Sequence, residues 1–220
     1  MTPTRALTRR SPKADRAPEI YRRLARTYPN AHCALGFNDP FQLTVATILS
    51  AQCTDKRVNM VTPELFRRYQ TAADLAVADP AEVENIIRST GFFRAKTKSL
   101  IGMATAVDEK HGGKIPADMD ALVALPGVGR KTANVVLGNA FDMNVGVVVD
   151  THVTRVSQLL ALTRQTDPVK IEQDLMKLFP TPSWTMLSHL FIEHGRQICV
   201  ARKPKCEICP LSDICPSSRV

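Results

Sequence analysis

One run, NVGVVVD at residues 144–150, has the β-branched content of a strand, and no second run in the chain offers to pair with it. A lone strand leaves its backbone donors and acceptors unmet. The run therefore reads as a short buried extended segment or as the lead-in to a helix. The rest of the chain carries helix signals. Asn38-Asp39-Pro40 supplies a capping side chain and then a proline at the first helical position, ahead of FQLTVATILSAQ with apolar residues at helical spacing. Asp79-Pro80 repeats the signal before AEVENIIRST, with Gly91 as its stop. Arg94 to His111 reads as a longer helix ended by Gly112-Gly113. Asp167-Pro168 opens VKIEQDLMKLF, which Pro180 and Pro182 close, and a last helix spans Ser183 to Ile198. The expected fold class is all-α, without internal repeats or a low-complexity linker.

A hydrophobic share of 44% argues against general disorder. No apolar run approaches the ~18 residues of a membrane span, so no membrane partner is expected. The start, MTPTRALTRRSPKADRAP, has Arg and Lys but no apolar core, which argues against a secretory signal and for a cytoplasmic protein. Residues 1–17 read as a flexible basic arm. The formal net charge of +8 suits a polyanionic partner such as nucleic acid, although a soluble protein that is simply basic has the same balance.

The six cysteines are unevenly spread: Cys33 and Cys53 stand alone, whereas Cys199, Cys206, Cys209 and Cys215 form the tail pattern C-x6-C-x2-C-x5-C. Without a secretory signal, a metal or cluster site is a better first reading than disulfides. Four thiolates suit tetrahedral zinc and also a [4Fe–4S] cluster. The unequal gaps favour the wider ligand separation of a cubane over a zinc ribbon, and on chemistry alone both remain open. The gap between the first two cysteines carries Arg202, Lys203 and Lys205. Anchored at both ends, that loop would grip phosphate; its alternative is a solvated surface loop.

A third feature is LPGVGRKTANVV, Leu125 to Val136. The glycines can adopt angles closed to other residues and let a phosphate approach the backbone closely. Gly127, Val128, Gly129 and Arg130 would present N–H groups just where a helix begins, a natural anion site. With DMDALVAL before it as a short helix, the unit reads as a helix–hairpin–helix that grips phosphates and reads no bases; its alternative is a plain turn between helices. It is neither a P-loop nor a dinucleotide fingerprint. Lys131 falls in the first turn of the second helix, against the positive end of the dipole. That placement, with Arg130 beside it, is expected to favour the neutral amine, a nucleophile able to form a Schiff base with a sugar C1′. Further on, VDTH offers Asp150, which suits both a helix N-cap and the stabilisation of an oxocarbenium-like sugar. His152 reads as a structural hydrogen-bonding residue.

LSAQCTD (residues 49–55), LPGVGRKTANVVL (125–137), VDTH (149–152) and the cysteine tail together resemble the helix-hairpin-helix DNA glycosylase superfamily, and within it the endonuclease III family. The resemblance covers nearly the whole chain after the arm. It implies a [4Fe–4S] cluster on the four tail cysteines, Lys131 as nucleophile, Asp150 as catalytic aspartate, and Gln52 inserted into the void left by a flipped nucleotide. It also implies two helical domains with a DNA cleft between them. One is a six-helix barrel over residues 38–145 holding the hairpin at about 119–137; the other is an iron–sulfur domain of residues 18–37 plus 146–220. The adenine-excising branch of the superfamily fits less well. It has serine at the lysine position and a glutamate shortly before the LSAQ-like turn, whereas residues 41–52 contain no carboxylate.

Three departures from the family pattern stand out: one residue more between Lys131 and Asp150, most easily placed in FDMNVG; Phe92 where a leucine wedge is usual; and Cys53 in the LSAQ turn. The implied enzyme is a monomeric, nucleoid-associated base-excision-repair glycosylase acting on double-stranded DNA that carries oxidised pyrimidines or abasic sites. Phe92 and Gln52 would fill the duplex gap. A monofunctional glycosylase, in which Lys131 only positions DNA, and a non-catalytic DNA-binding or redox-sensing module are the alternatives.

Overall fold

The computed structural model describes residues 6–220, which contain no strand. The first helix, α1 (Lys13–Thr27), begins inside the stretch expected to be a flexible arm. The reason is Arg16, a residue that reads as solvated in the sequence but is buried. Its guanidinium donates to the carbonyls of Ser11, Leu160 and Ile214 at 3.0, 2.8 and 3.3 Å. Residues 6–12 precede this helix; the first five residues of the expected arm lie outside the described residues.

The chain divides into two compact units. One holds the segment up to His32 together with Asn144–Val220, and the other holds Cys33–Met143. The first crossing falls ahead of the expected break at 37/38. Asn59 explains it: its Oδ1 accepts from Gly36 N at 2.9 Å and its Nδ2 donates to Ala34 O at 2.8 Å, which fastens residues 34–36 to the second unit. At the return crossing, Met143 N donates to Leu137 O at 2.9 Å, while Asn144 Oδ1 accepts from Thr185 N at 3.0 Å.

The second unit contains α2 (Pro40–Leu49), α3 (Asp55–Arg68), α4 (Ala72–Ala76), α5 (Pro80–Ile87), a 3-10 turn over Arg88–Thr90, α6 (Phe93–His111), α7 (Met119–Val123) and α8 (Arg130–Ala140). The aspartate–proline starts form as the sequence predicts: Asp39 caps Gln42 N and Asp79 caps Ala81 N. Helix α3 carries no such pair and has Pro63 in its interior, but Thr54 caps Arg57 N. Leu43, Leu49, Leu65, Leu75, Ile87, Leu100, Met103 and Leu137 fill the interior of this unit.

The first unit contains α1, α9 (Thr151–Leu159), α10 (Pro168–Leu178), a 3-10 turn over Thr181–Ser183, α11 (Trp184–Gln197) and a 3-10 turn over Cys206–Ile208. The run NVGVVVD is both things the sequence allowed. Val147 and Val149 lie outside any helix and are buried with Ile20, Leu24, Val153 and Phe191, and the run ends at Asp150, the extended cap residue of α9. Its missing ladder is partly replaced by Ser188, whose hydroxyl accepts from Val148 N at 2.9 Å.

In the turn between α7 and α8 only one of the two glycines is conformationally required. Gly127 has φ 77, and a Cβ there would meet Ser99 Cβ at 2.6 Å. Gly129 has φ −95 and ψ 174, which any residue adopts, and a Cβ there would meet open space. Of the two glycines that could take special angles, only Gly127 does. Gly127→Ala should destabilise the protein by roughly 1–3 kcal/mol in urea denaturation. Gly129→Ala should cost less than about 1 kcal/mol, because it changes only a cap residue.

Candidate active site, DNA interface and metal centre

The second unit carries the hairpin. Helix α8 starts at Gly129 without any side-chain cap, so its first-turn N–H groups keep the partial positive charge of an open helix start. Val128 is buried and its N–H is used within the turn, bonding Leu125 O at 3.1 Å. It therefore anchors the hairpin, and its N–H is not one of those offered to a phosphate. Gly127, Gly129 and Arg130 are exposed. Lys131 stands in the first turn of α8, exposed, with no hydrogen-bond or ion-pair partner among the described residues. The turn after α8, in which the added residue was placed, passes through Asp142 at φ 54.

The same unit carries Gln52 and Phe92. Both are non-glycine residues in the left-handed region, at φ 53 and φ 47. Gln52 lies in the turn joining α2 to α3, and Phe92 immediately precedes α6. Gln52 is exposed, and Phe92 is 66% exposed although phenylalanine is a core residue by type. Arg88 and Arg94 stack instead on the neighbouring Phe93 ring, 5.6 and 5.8 Å from its centroid.

Asp150, His152, the basic loop and the tail cysteines belong to the first unit. Asp150 caps α9, with Oδ1 accepting from Val153 N at 2.8 Å, and stays half-exposed. His152 is held as expected of a structural residue, its Nδ1 3.3 Å from the Arg155 guanidinium and its ring against Gly195. Arg202, Lys203 and Lys205 are exposed, with Lys203 at φ 55. The base of their loop is pinned: Lys205 N donates to Ile198 O at 3.0 Å, and Arg155 donates to the carbonyls of Gly195 and Cys199.

Cys199, Cys206, Cys209 and Cys215 all line one cavity of about 200 Å³, and no disulfide joins them. Three of them resist ionisation as thiols. Burial, reinforced by the other three sulfurs, pushes Cys199 up to about 11, and burial raises Cys209 and Cys215 as well. A cationic centre reverses this by binding the thiolates and releasing protons. Among the described residues no three His, Cys, Asp or Glu side chains converge on a single metal-ion position. The arrangement fits a wider group in which each sulfur takes its own iron.

Sequence reasoning missed two neighbours of these cysteines. His194 is buried, with Nε2 3.7 Å from Cys209 Sγ and Nδ1 3.0 Å from Tyr28 Oη; burial lowers its pKa to about 4, which keeps it neutral. Such partners orient metal ligands. Arg155 is the other. The one available signal was position, since His194 lies in the last part of α11, five residues before Cys199.

Comparison with known proteins agrees with this geometry. Residues 45–181 match the family model of the HhH-GPD superfamily base excision DNA repair proteins, and residues 199–215 match that of the iron–sulfur binding domain of endonuclease III. The endonuclease III of Synechocystis sp. is 53% identical over 97% of both chains. Two solved structures, a non-covalent endonuclease III–DNA complex and a trapped endonuclease III–DNA covalent intermediate, each superpose with a TM-score of 0.88 at 40% identity, covering 93% of this chain and 96% of theirs. The cofactor is a [4Fe–4S] cluster, and the matched domain spans all four tail cysteines. Among the described residues no helix is long and apolar enough to cross a membrane. The chain belongs to the endonuclease III family, within the HhH-GPD superfamily of base excision DNA repair proteins.

Proposed function

We propose that this bifunctional DNA glycosylase and lyase removes oxidised pyrimidines, such as thymine glycol, from double-stranded DNA and cuts the resulting abasic sites by β-elimination through Lys131. The observation that carries the reading is Lys131 itself, an exposed and unpartnered amine in the first turn of an uncapped helix, directly after a glycine turn. The trapped covalent intermediate of a 40% identical relative supports it.

A base inside the duplex is out of reach, so the nucleotide leaves the stack. Gly127, Gly129 and Arg130 hold phosphates without reading sequence, and Arg202, Lys203 and Lys205 hold more. Gln52 and Phe92 fill the vacated space. Lys131 Nζ attacks C1′ as the C1′–N bond breaks and the base departs with the electron pair. Asp150 stabilises the positive sugar and takes the proton that the amine loses. The C1′–O4′ bond then opens, O4′ taking up a proton as a hydroxyl, and the nitrogen lone pair forms the Schiff base; this acidifies the C2′ proton, whose removal expels the 3′ phosphate, and water then frees Lys131.

Cys199, Cys206, Cys209 and Cys215 hold the cluster, which supplies a structural tie between the ends of the basic loop. No proton or bond change above needs an electron. The reading extends to a monomer working on nucleoid DNA in the cytoplasm.

Borohydride should trap the protein on duplexes carrying thymine glycol, and Lys131→Gln should abolish the adduct and strand cleavage. Base release persisting in that variant, with no adduct formed by the parent protein, would make the enzyme monofunctional. Lys203→Ala with Lys205→Ala should weaken DNA binding evenly across sequences and flatten the log–log salt slope by about 1–2 units; an unchanged slope excludes both phosphate contacts. The purified protein should be coloured and hold about four irons per chain, falling on Cys209→Ala. Stoichiometric zinc in a colourless protein would refute the ligand assignment.

A further inference from the structure

Lys96, in the first turn of α6, is only 5% exposed. Its ammonium donates to two backbone carbonyls, Leu49 O at 2.8 Å and Thr90 O at 2.8 Å. No carboxylate pairs with it among the described residues, and burial lowers its pKa. A buried cation of this kind is costly, and an apolar side chain of the same volume often does as well for stability alone.

Its two acceptors are not arbitrary. Leu49 is the last residue of α2, and Thr90 is the last residue of the 3-10 turn that follows α5. Each is an end carbonyl without an intrahelical partner, at the negative end of its element. The chain turns sharply just beyond each of them. Gln52 follows the first at φ 53 and Phe92 follows the second at φ 47. Side chains disfavour that region, and it persists only where the surroundings enforce it. Both of these side chains point into solvent, one of them a largely exposed aromatic ring. A single buried atom thus fastens the roots of two strained, outward-facing turns that are 40 residues apart in the chain.

We propose that Lys96 is a positioning residue that holds the Gln52 and Phe92 turns at a fixed spacing, so that both side chains enter the gap beside a flipped nucleotide as one preformed wedge. The proposal rests on the reading above in which these two side chains enter the duplex. Lys96 itself touches no DNA, being buried. Its effect is preorganisation: without the tie each turn relaxes independently, and the ordering cost falls on the damaged complex.

The test is a mutant cycle on the full-length, cluster-loaded protein. Fluorescence anisotropy measures the preference for a duplex bearing a tetrahydrofuran abasic analogue over the undamaged duplex. The proteins are the parent, Lys96→Met, Gln52→Ala with Phe92→Ala, and the triple variant. Losing two charge-assisted bonds should cut the preference by ~10-fold in Lys96→Met, and the triple variant should lose no more than the double. Lys96→Arg, which keeps the charge and donors, should recover part of the preference. A preference untouched by Lys96→Met overturns the proposal, as does a loss that multiplies with that of the double variant, the sign of a general structural role. If the double variant keeps its full preference, the wedge reading itself fails and this one falls with it. Should Lys96→Met not fold, Lys96→Arg takes its place in the same cycle, and additivity or its absence decides.

Discussion

In a protein built from helices, every helix that stops inside the structure leaves carbonyls needing donors, and in this chain two buried cations and one half-buried one supply several of them. Buried Arg16 serves Leu160, the residue just after α9, together with Ile214. Arg155 serves Gly195 in the last turn of α11 and Cys199 just beyond it. Lys96 serves the ends of α2 and of the 3-10 turn after α5. An orphaned buried carbonyl costs on the order of 1–3 kcal/mol, and bonds from a charged donor are the stronger kind. The net charge of +8 is thus not all a DNA footprint. Part of the basic composition works inside the protein, where it joins segments far apart in sequence.

Seven of the opposite helix ends follow a complementary rule, and the starts of α1, α6, α8 and α11 do not. Asp39, Thr54, Thr71, Asp79, Asp118, Asp150 and Asp167 each place a side-chain oxygen on a first-turn N–H. Helix α8 has only Gly129 at that position. The first-turn donors left open at α8 lie beside the exposed Gly127, Gly129 and Arg130, which is what the phosphate-gripping reading of this turn needs. Asp150, by contrast, closes α9 with its carboxylate and still stays half-exposed.

These two rules explain how much was legible beforehand. Cap side chains are local, so the starts at Asp39, Asp79 and Asp167 could be read directly, as could the cysteine spacing and the hairpin. Helix α3 was hidden by Pro63, which reads as a breaker although the helix runs through it. Helix α1 was hidden because Arg16 looks like arm sequence until its three carbonyl partners are known. The cations at the carbonyl ends were invisible for a deeper reason. Their partners are backbone atoms, which every residue has, so no residue type marks the pairing. Lys96 and Arg155 could be found only once the chain was folded. The glycine turn erred the other way: two glycines looked equivalent, but only Gly127 faces a neighbour at contact distance.

The cysteine tail joins both themes. The last turn of α11 leads into Cys199, whose carbonyl Arg155 holds, and the backbone returns at Lys205 to bond Ile198. Between these points Arg202 and Lys203 are carried outward with Lys203 at φ 55, a conformation that a free loop would relax. One backbone bond and one cation fix the base of the loop. The sulfurs beyond them line one half-buried cavity and would repel one another as thiolates, which a cationic centre offsets. A cofactor bound there would bear on the geometry of the basic loop, as the role proposed for Lys96 bears on the Gln52 and Phe92 turns. In both readings the group works from beneath, through the backbone that carries the exposed side chains.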